Sequence, residues 1–110
     1  MTAEGRRAAR TFTPRMGIYR ITHLPSGRTL LGSSSHVEGQ LNRIRFELQL
    51  RGHRHAQMQR DWATDGPESF RFEVLDDLPP QRPGEDPQDD LKELLALWQE
   101  KLNIPAHQRY

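Results

Sequence analysis

The sequence predicts a small α+β domain, in which a three-stranded, largely antiparallel sheet is flanked by helices in the order β-β-α-α-β-α. Three observations predict this class. Two short β-prone runs near the start are joined by a turn, several later segments have apolar residues at helical spacing, and one further run alternates as a strand does. A chain of 110 residues has the length of a single domain with one modest core.

The first two strands are predicted from residues 17–32, which read GIYRITHLPSGRTLLG. Side chains alternate from Ile18 to His23, and a second β-prone run follows at Arg28 to Leu31. Between them, Pro25 fixes φ and Gly27 accepts a positive φ, which suits a turn. The segment is therefore predicted to be a β-hairpin.

Two helices are predicted next. The first covers about residues 38–50, with serines 33–35 as candidate N-caps. Its apolar stripe consists of Val37, Leu41, Ile44, Leu48 and, at its end, Leu50. A polar seam on the same helix consists of Gln40, Arg43, Glu47 and Arg51. The second helix covers about residues 56–64, and Met58 and Trp62 are predicted to face the core.

A third strand is predicted over residues 70–75 and a last helix over about 91–102, capped by Asp89 or Asp90. The proline-rich stretch 79–87 between them is predicted to be a loop. The domain is thus expected to span residues 16–102, with a flexible basic arm over 1–15 and a C-terminal tail over 103–110.

Charge is distributed unevenly along the chain, although the net charge is only +1. The net charge is +3 for residues 1–15, +5 for 16–60 and −7 for 61–110. The basic half is where an anionic partner would bind, although charges of this kind can also simply cover a solvated surface.

Other features of composition exclude some classes of protein. No apolar run approaches the roughly 20 residues of a membrane span, and the arginine-containing N-terminus does not have the apolar segment of a secretory signal. The chain has no cysteine, so it has neither disulfides nor thiolate metal sites. A cytoplasmic location with no membrane partner is the expectation.

The hairpin and the residues after it resemble the GIY-YIG nuclease superfamily over roughly residues 16–102. The resemblance rests on the spacing from Gly17 to Gly32 and on the residues that follow, namely Ser33, Ser34, His53, Met58, Gln59, Trp62, the strand from Phe70 and Trp98. It implies phosphodiester hydrolysis with one divalent metal ion, Mg²⁺ or Mn²⁺ if the chain is active. It also implies a nucleic-acid partner, taken to be DNA.

The resemblance implies catalytic roles for Tyr19, Arg43 and His53. Tyr19 matches the tyrosine of the first motif, and its hydroxyl could position or deprotonate a water; the alternative is an ordinary half-buried strand tyrosine. His53 matches a frequent histidine after the first helix and could hold a phosphate or move a proton, or it could be an inert loop residue. Arg43 is a substitute, because the family's first-helix arginine falls on Gln40.

Two further family positions carry leucine in this chain. Leu30 stands where a second tyrosine is expected, and Leu95 where the metal-binding glutamate is expected. Glu93 is the candidate metal ligand, with Glu100 and Glu47 as other nearby carboxylates. His53 and His55 also invite a metal interpretation, although they lack a third ligand nearby in sequence.

An arginine cluster on the helical segment is predicted to bind nucleic-acid phosphates. Besides Arg43, it comprises Arg45, Arg51, Arg54 and Arg60. Phe46 and Trp62 are interpreted as core residues, so aromatic base stacking is not expected and binding should be directed to the backbone.

Three functions follow as hypotheses. The first is a GIY-YIG-like domain that binds nucleic acid through an arginine-rich helical face with its nuclease activity weakened or lost. The second is an active metal-dependent endonuclease with a rearranged site. The third is a protein-interaction domain that binds through the acidic stretch 76–90.

Overall fold

The first strand of the chain is the central strand of the sheet. The computed structural model describes residues 15–79 and 84–110. Its elements are β1 (Met16–His23), β2 (Thr29–Ser34), α1 (Val37–Gln49), α2 (Ala56–Asp65), β3 (Phe70–Leu78) and α3 (Gln88–Leu102). Strand β1 pairs antiparallel with both neighbours, in the order β2-β1-β3. The predicted α+β class and element order are confirmed.

The main core lies between one face of the sheet and the first two helices. Alternate residues of β1 point to this face, so Tyr19 and Ile21 are buried there. Helix α1 contributes the predicted stripe Val37, Leu41, Ile44 and Leu48, and α2 contributes Met58 and Trp62. Aromatic contacts join the Trp62 ring to Phe70 and Phe72 of β3. The apolar residues that recur every 3.6 positions in the helices and every second position in β1 therefore pack into one hydrophobic cluster.

Helix α3 covers the opposite face of the sheet. Ile18, which alternates with Tyr19, is fully buried, and so is Leu91 of α3. The Trp98 indole N–H donates to the Asp76 carboxylate at 3.0 Å, and Asp76 pairs with Ile18 across the sheet. On the same face, Arg20 and Glu73 form a cross-strand ion pair of 2.9 Å. The last helix is thus separated from α1 and α2 by the sheet.

Two residues that were predicted to face the core, one on α1 and one just after it, are exposed. Phe46 is 60% exposed and Leu50 is 65% exposed. At 100° per residue, Phe46 lies roughly opposite the line of Val37, Ile44 and Leu48, so the helix turns its ring toward solvent. The interpretation of Phe46 as a core residue is therefore wrong, and the same holds for the inclusion of Leu50 in the apolar stripe.

The predicted helix caps are also displaced. The N-cap of α1 is His36, and Ser34 lies within β2, although its hydroxyl still accepts from the His36 amide at 3.0 Å. The N-cap of α3 is Pro87, two or three residues before the predicted caps Asp89 and Asp90. Helix α3 begins three residues before the predicted start at Leu91, and the Asp86 carboxylate just before it accepts from the Gln88 amide at 3.0 Å.

Residues 103–110, predicted as a tail, lie along the edge of the sheet. Arg109 forms a parallel bridge with Thr29 of β2, and the Tyr110 amide donates to the Thr29 carbonyl at 2.9 Å. This contact covers part of an edge strand whose backbone groups would otherwise be open. The arm predicted over residues 1–15 lies outside the described residues except for Arg15, which pairs with Glu38 and Asp77.

No helix in the described ranges is both long enough and apolar enough to cross a lipid bilayer.

Candidate nucleic-acid interface

Two glycines of the hairpin permit close contacts, Gly17 with the backbone of β3 and Gly32 with the ring of Tyr19. Tyr19 pairs with Gly32 across β1 and β2, and the Tyr19 ring lies directly over Gly32. A Cβ on Gly32 would overlap that ring, with the Tyr19 Cε2 atom at 2.9 Å. A Cβ on Gly17 would overlap the Asp76 carbonyl of β3, next to the irregular pairing at Ile18 and Tyr19. Both positions require glycine for steric reasons.

Tyr19 opens into a cleft of about 410 Å³ between the hairpin, α1 and the loop before α2. The polar side chains that line this cleft are Tyr19, Gln40, Arg43, Glu47, His53, Arg54 and His55. The three predicted catalytic residues therefore line one cleft, although they come from a strand, a helix and a loop. Gln40, Arg43 and Glu47 of the predicted seam form one wall of the cleft, because they recur at helical spacing, whereas the fourth member, Arg51, does not line it.

Burial raises the pKa of the Tyr19 hydroxyl above its usual value of 10.0. A hydrogen bond with the Gln40 side chain and the positive charge of Arg54 oppose this shift only in part. Tyr19 is consequently protonated at neutral pH, and its hydroxyl is available as a hydrogen-bond donor within the cleft.

His53 is held between the backbone and Glu47. Its Nδ1 accepts from the His55 amide at 3.1 Å, and its Nε2 lies 3.9 Å from the Glu47 carboxylate. Burial lowers the pKa of His53 below 6.5, and the charge of Glu47 opposes that shift. A neutral His53 with an occupied Nδ1 carries its proton on Nε2, so it too can donate into the cleft.

Arg43 and Glu47 form the i,i+4 pair expected from the sequence, with Arg43 Nε donating to the Glu47 carboxylate at 3.3 Å. The Arg43 side chain remains 73% exposed. An exposed pair of this kind stabilises a helix by only a few tenths of a kcal/mol. Most of the Arg43 guanidinium is therefore free to meet an anion.

The cleft does not have the donor set of a divalent metal ion. Its one carboxylate, Glu47, is shared between Arg43 and His53, and cations outnumber carboxylates there. Within the described residues, no three His, Cys, Asp or Glu side chains come together as a metal-ligand group. A hard dication prefers unshared carboxylate oxygens, so the residues present do not fit Mg²⁺ or Mn²⁺.

Glu93, the candidate metal ligand, is exposed on α3. Because α3 lies on the other face of the sheet from Tyr19, the structure does not bring Glu93 together with the cleft residues. Leu95, at the position where the family has its glutamate, is half-buried on the same helix. The carboxylate that does reach the cleft is Glu47.

The predicted arginine cluster divides among several places. Arg54 lines the cleft, whereas the Arg45 guanidinium lies 4.4 Å from the centre of the Phe72 ring. Arg60 donates to the Gln57 side chain at 2.9 Å on α2. Arg51 is exposed just after α1, in a left-handed backbone conformation with φ of 59°. Arg43 and Arg54 are thus the two members that face the same cleft.

A second polar cluster lies at the hairpin turn, which we call the turn network. Its members are His23, Ser26, Arg28, Gln57, Asp61, Asp65 and Tyr110. Arg28 donates two hydrogen bonds to Asp61, at 2.9 and 3.0 Å, and Tyr110 donates its hydroxyl proton to the same carboxylate. The buried His23 ring contacts Ser26 at 2.7 Å and Asp65 at 2.8 Å.

Asp61 is the centre of the turn network. Burial opposes its ionisation, but hydrogen bonds from Arg28, Tyr110 and Gln57 lower the pKa of Asp61 to about 2. Burial and the same carboxylate raise the pKa of Tyr110. Sequence reasoning missed this cluster, because Arg28, Asp61 and Tyr110 are far apart in the chain. A lone aspartate on the apolar face of α2 was the available signal.

Among the comparisons with known proteins, the solved structures support the fold. No protein-family model and no curated protein matches the chain. The chain is similar in structure to the catalytic domain of the homing endonuclease I-TevI, with a TM-score of 0.67 and 23% identity over 86% of this chain and 95% of that one. It is also similar to a mutant of that domain, with a TM-score of 0.64 and 24% identity over 81% of this chain and 84% of the other. The chain has a GIY-YIG-like fold.

Proposed function

We propose that this domain binds nucleic-acid phosphates in the cleft around Tyr19, and that its nuclease activity is weakened or lost. The observation that carries the proposal is the composition of the cleft. Arg43 and Arg54 line it against a single carboxylate, which is already paired, while Tyr19 and His53 both carry protons that they can donate.

Each of these groups suits a phosphodiester. Arginine offers planar, bidentate donors that match phosphate oxygens, and the neutral donors Tyr19 and His53 can complete the contacts. Arg51 lies just outside the cleft at the end of α1, and Arg60 on α2, where they can add contacts to neighbouring phosphates. Such contacts position a nucleic acid without reading its sequence, so binding should depend strongly on salt.

Hydrolysis makes demands that this cleft meets poorly. Gln40 cannot supply the positive charge that stabilises a pentacoordinate phosphorus, and Leu30 supplies no hydroxyl beside Tyr19. Leu95 cannot bind a metal ion, and Glu47 is shared between the cationic Arg43 and the neutral His53. Losing both the metal ligand and the cation would cost several kcal/mol of transition-state stabilisation.

The likeness to the catalytic domain of an endonuclease favours nucleic acid as the partner, and DNA is the form to test first. We would incubate the protein with supercoiled plasmid and with labelled single-stranded and branched DNA, with Mg²⁺ and with Mn²⁺. The expected result is a salt-sensitive band shift without nicking. Arg43→Gln should weaken that shift, whereas Arg60→Gln, outside the cleft, should change it less.

An active endonuclease with a rearranged site is the second candidate, and the position of Glu47 beside Arg43 favours it. Metal-dependent nicking that is abolished by both Tyr19→Phe and Glu47→Gln would establish this function and overturn the loss of activity. If the Tyr19→Phe variant then keeps its affinity for DNA, the Tyr19 hydroxyl acts in the chemical step and not in binding.

The protein-interaction hypothesis gains nothing specific from the described residues. It would replace the nucleic-acid proposal if the protein shifted none of these DNA substrates even at low salt, where phosphate contacts are strongest.

A further inference from the structure

Arg43 and Phe46 of α1, together with Leu50 at the C-terminal end of the helix, form an exposed patch beside the cleft, which we call the rim patch. Arg43, Phe46 and Leu50 are spaced i, i+3 and i+7, so they fall on one side of the helix. The two apolar members are among the most exposed large hydrophobic residues of the described chain, at 60% and 65%. Because Arg43 also lines the cleft, the rim patch continues the cleft outward along the helix.

Packing does not explain the aromatic ring of the rim patch. The core beneath α1 is already formed by Val37, Leu41, Ile44 and Leu48, each no more than 9% exposed. The rings of Trp62, Phe70 and Phe72 contact one another beneath the helices, and the Arg45 guanidinium also covers Phe72. The ring of Phe46, by contrast, offers an apolar surface to solvent three residues after Arg43, a rise of about 4.5 Å along the helix.

The charge around the rim patch indicates what covers it. Arg43 is a member of the patch, Arg51 directly follows Leu50 in the chain, and Arg54 lines the same cleft as Arg43. Their surplus over Glu47 suits a polyanion. An unpaired nucleic-acid strand is a polyanion that also carries flat, apolar faces, and an aromatic side chain beside arginines is the arrangement on which such bases stack.

We propose that Phe46 is a base-stacking residue, and that the preferred ligand of this domain is unpaired, single-stranded nucleic acid. A phosphate lies in the cleft at Arg43 and Arg54, and a neighbouring base stacks on Phe46, with Leu50 extending the apolar contact. Duplex nucleic acid places its base faces inside the stack, so it can use only the phosphate contacts. This proposal rests on the proposed function and adds the class of nucleic acid.

The test measures Kd by fluorescence anisotropy for three labelled DNA ligands of about twelve nucleotides, a length that one small domain can cover. The ligands are a single strand of thymidines, a strand of the same length in which every nucleotide is abasic, and a duplex of the same length. The protein variants are wild type, Phe46→Ala, Phe46→Trp and Arg43→Gln. Leu97→Ala is the matched control, since Leu97 is 62% exposed on α3, across the sheet from the cleft.

Wild type should bind the thymidine strand more tightly than the abasic strand or the duplex. Phe46→Ala should weaken binding of the thymidine strand by about 5-fold to about 160-fold, the range typical of replacing one stacking aromatic side chain with alanine. It should leave the other two ligands nearly unchanged. Phe46→Trp should restore affinity and Leu97→Ala should have no effect. Arg43→Gln should weaken all three ligands and lower the salt slope by about 1.

The outcomes separate this inference from the function on which it rests. Salt-sensitive binding of all three ligands that Phe46→Ala leaves unchanged, or reduces equally, would overturn stacking while leaving phosphate binding in place. The absence of salt-sensitive binding in wild type would overturn both, and would turn attention to a protein partner for the rim patch. Urea unfolding of Phe46→Ala confirms that the variant is folded.

Discussion

The turn network and the cleft contain similar side chains, yet they use them in opposite ways. In the turn network, the Asp61 carboxylate accepts from three side chains, and only 8% of it remains exposed. In the cleft, Arg43 makes one exposed ion pair and keeps 73% of its side-chain surface open. The comparison teaches that the number of charged residues in a cluster does not identify a functional site. The better indicator is how many of those charged groups remain exposed and without a full set of partners in the protein.

Removing the centre of the turn network should have the largest effect on stability. Asp61→Asn leaves the guanidinium of Arg28 half-buried without its counter-charge, and such a loss costs about 3 kcal/mol in the free energy of unfolding. Urea denaturation measures it. Asp65→Asn is the control, since the Asp65 side chain is 38% exposed and, among the residues that the structure describes, bonds to His23 alone, so its loss should cost about 1 kcal/mol. Equal effects of the two variants would contradict a network centred on Asp61.

Acid should remove a part of the same stabilisation. The pKa of Asp61 is lowered from 3.8 to about 2 in the folded protein, so its contribution is fully present above about pH 4 and is lost as the pH falls toward 2. At 1.36 kcal/mol per pKa unit, the loss is about 2 kcal/mol. Urea unfolding of wild type and Asp61→Asn at pH 5 and pH 2.5 measures it. The difference in the free energy of unfolding between the two proteins should be smaller at the lower pH. A difference that stays constant would show that ionised Asp61 is not the source of the stabilisation.

Gly32→Ala should disturb the cleft from beneath. The added methyl group overlaps the Tyr19 ring, so we expect a loss of about 1–2 kcal/mol in stability and a displaced Tyr19. Gly52→Ala is the matched control in the same cleft, because its Cβ would have only the Glu47 carbonyl near it, at 3.9 Å. Unfolding and DNA band shifts should both be impaired in the first variant alone. Equal behaviour of the two would show that the ring moves aside without cost.

Arg43→Gln should have the smallest effect on stability, under about 0.5 kcal/mol, because it removes only an exposed ion pair. Its effect on DNA affinity should nevertheless be large. A variant that is stable but binds poorly is the opposite of Asp61→Asn, which should bind normally as long as it is folded. If Arg43→Gln unfolds the protein instead, the proposed division between the two regions fails.

Much of the fold could be predicted from the sequence, because it depends on local patterns. The hairpin follows from alternation and a Pro-Gly turn, and the seam that places Arg43 and Glu47 on one cleft wall follows from helical spacing. The direction of Phe46 was also available from the same spacing. Its aromatic character favoured the core, but the geometry of the helix puts it on the other side.

The rest could not be predicted because it depends on contacts between distant segments. Nothing near Arg28 indicates that Asp61 will be its partner, or that Tyr110 will return to the same carboxylate. Helical spacing already places Arg45 about 160° from Arg43, but the contact of Arg45 with the Phe72 ring depends on how β3 packs beside α1. Sequence spacing predicts which residues share a helix face, but the tertiary fold decides which other segments that face contacts.

The central position of β1 has a consequence for how the molecule folds. The hairpin of β1 and β2 is local and can form in about 1–10 μs, but β3 joins β1 only after a loop of about 55 residues has closed between Tyr19 and Val74. Folding speed should therefore be limited by this distant pairing. Trp62 in the core and Trp98 over Asp76 are natural fluorescent reporters for the two faces of the sheet. A fragment ending before β3 would contain every residue of the cleft, but without β3 to complete the core we expect it to form no stable cleft.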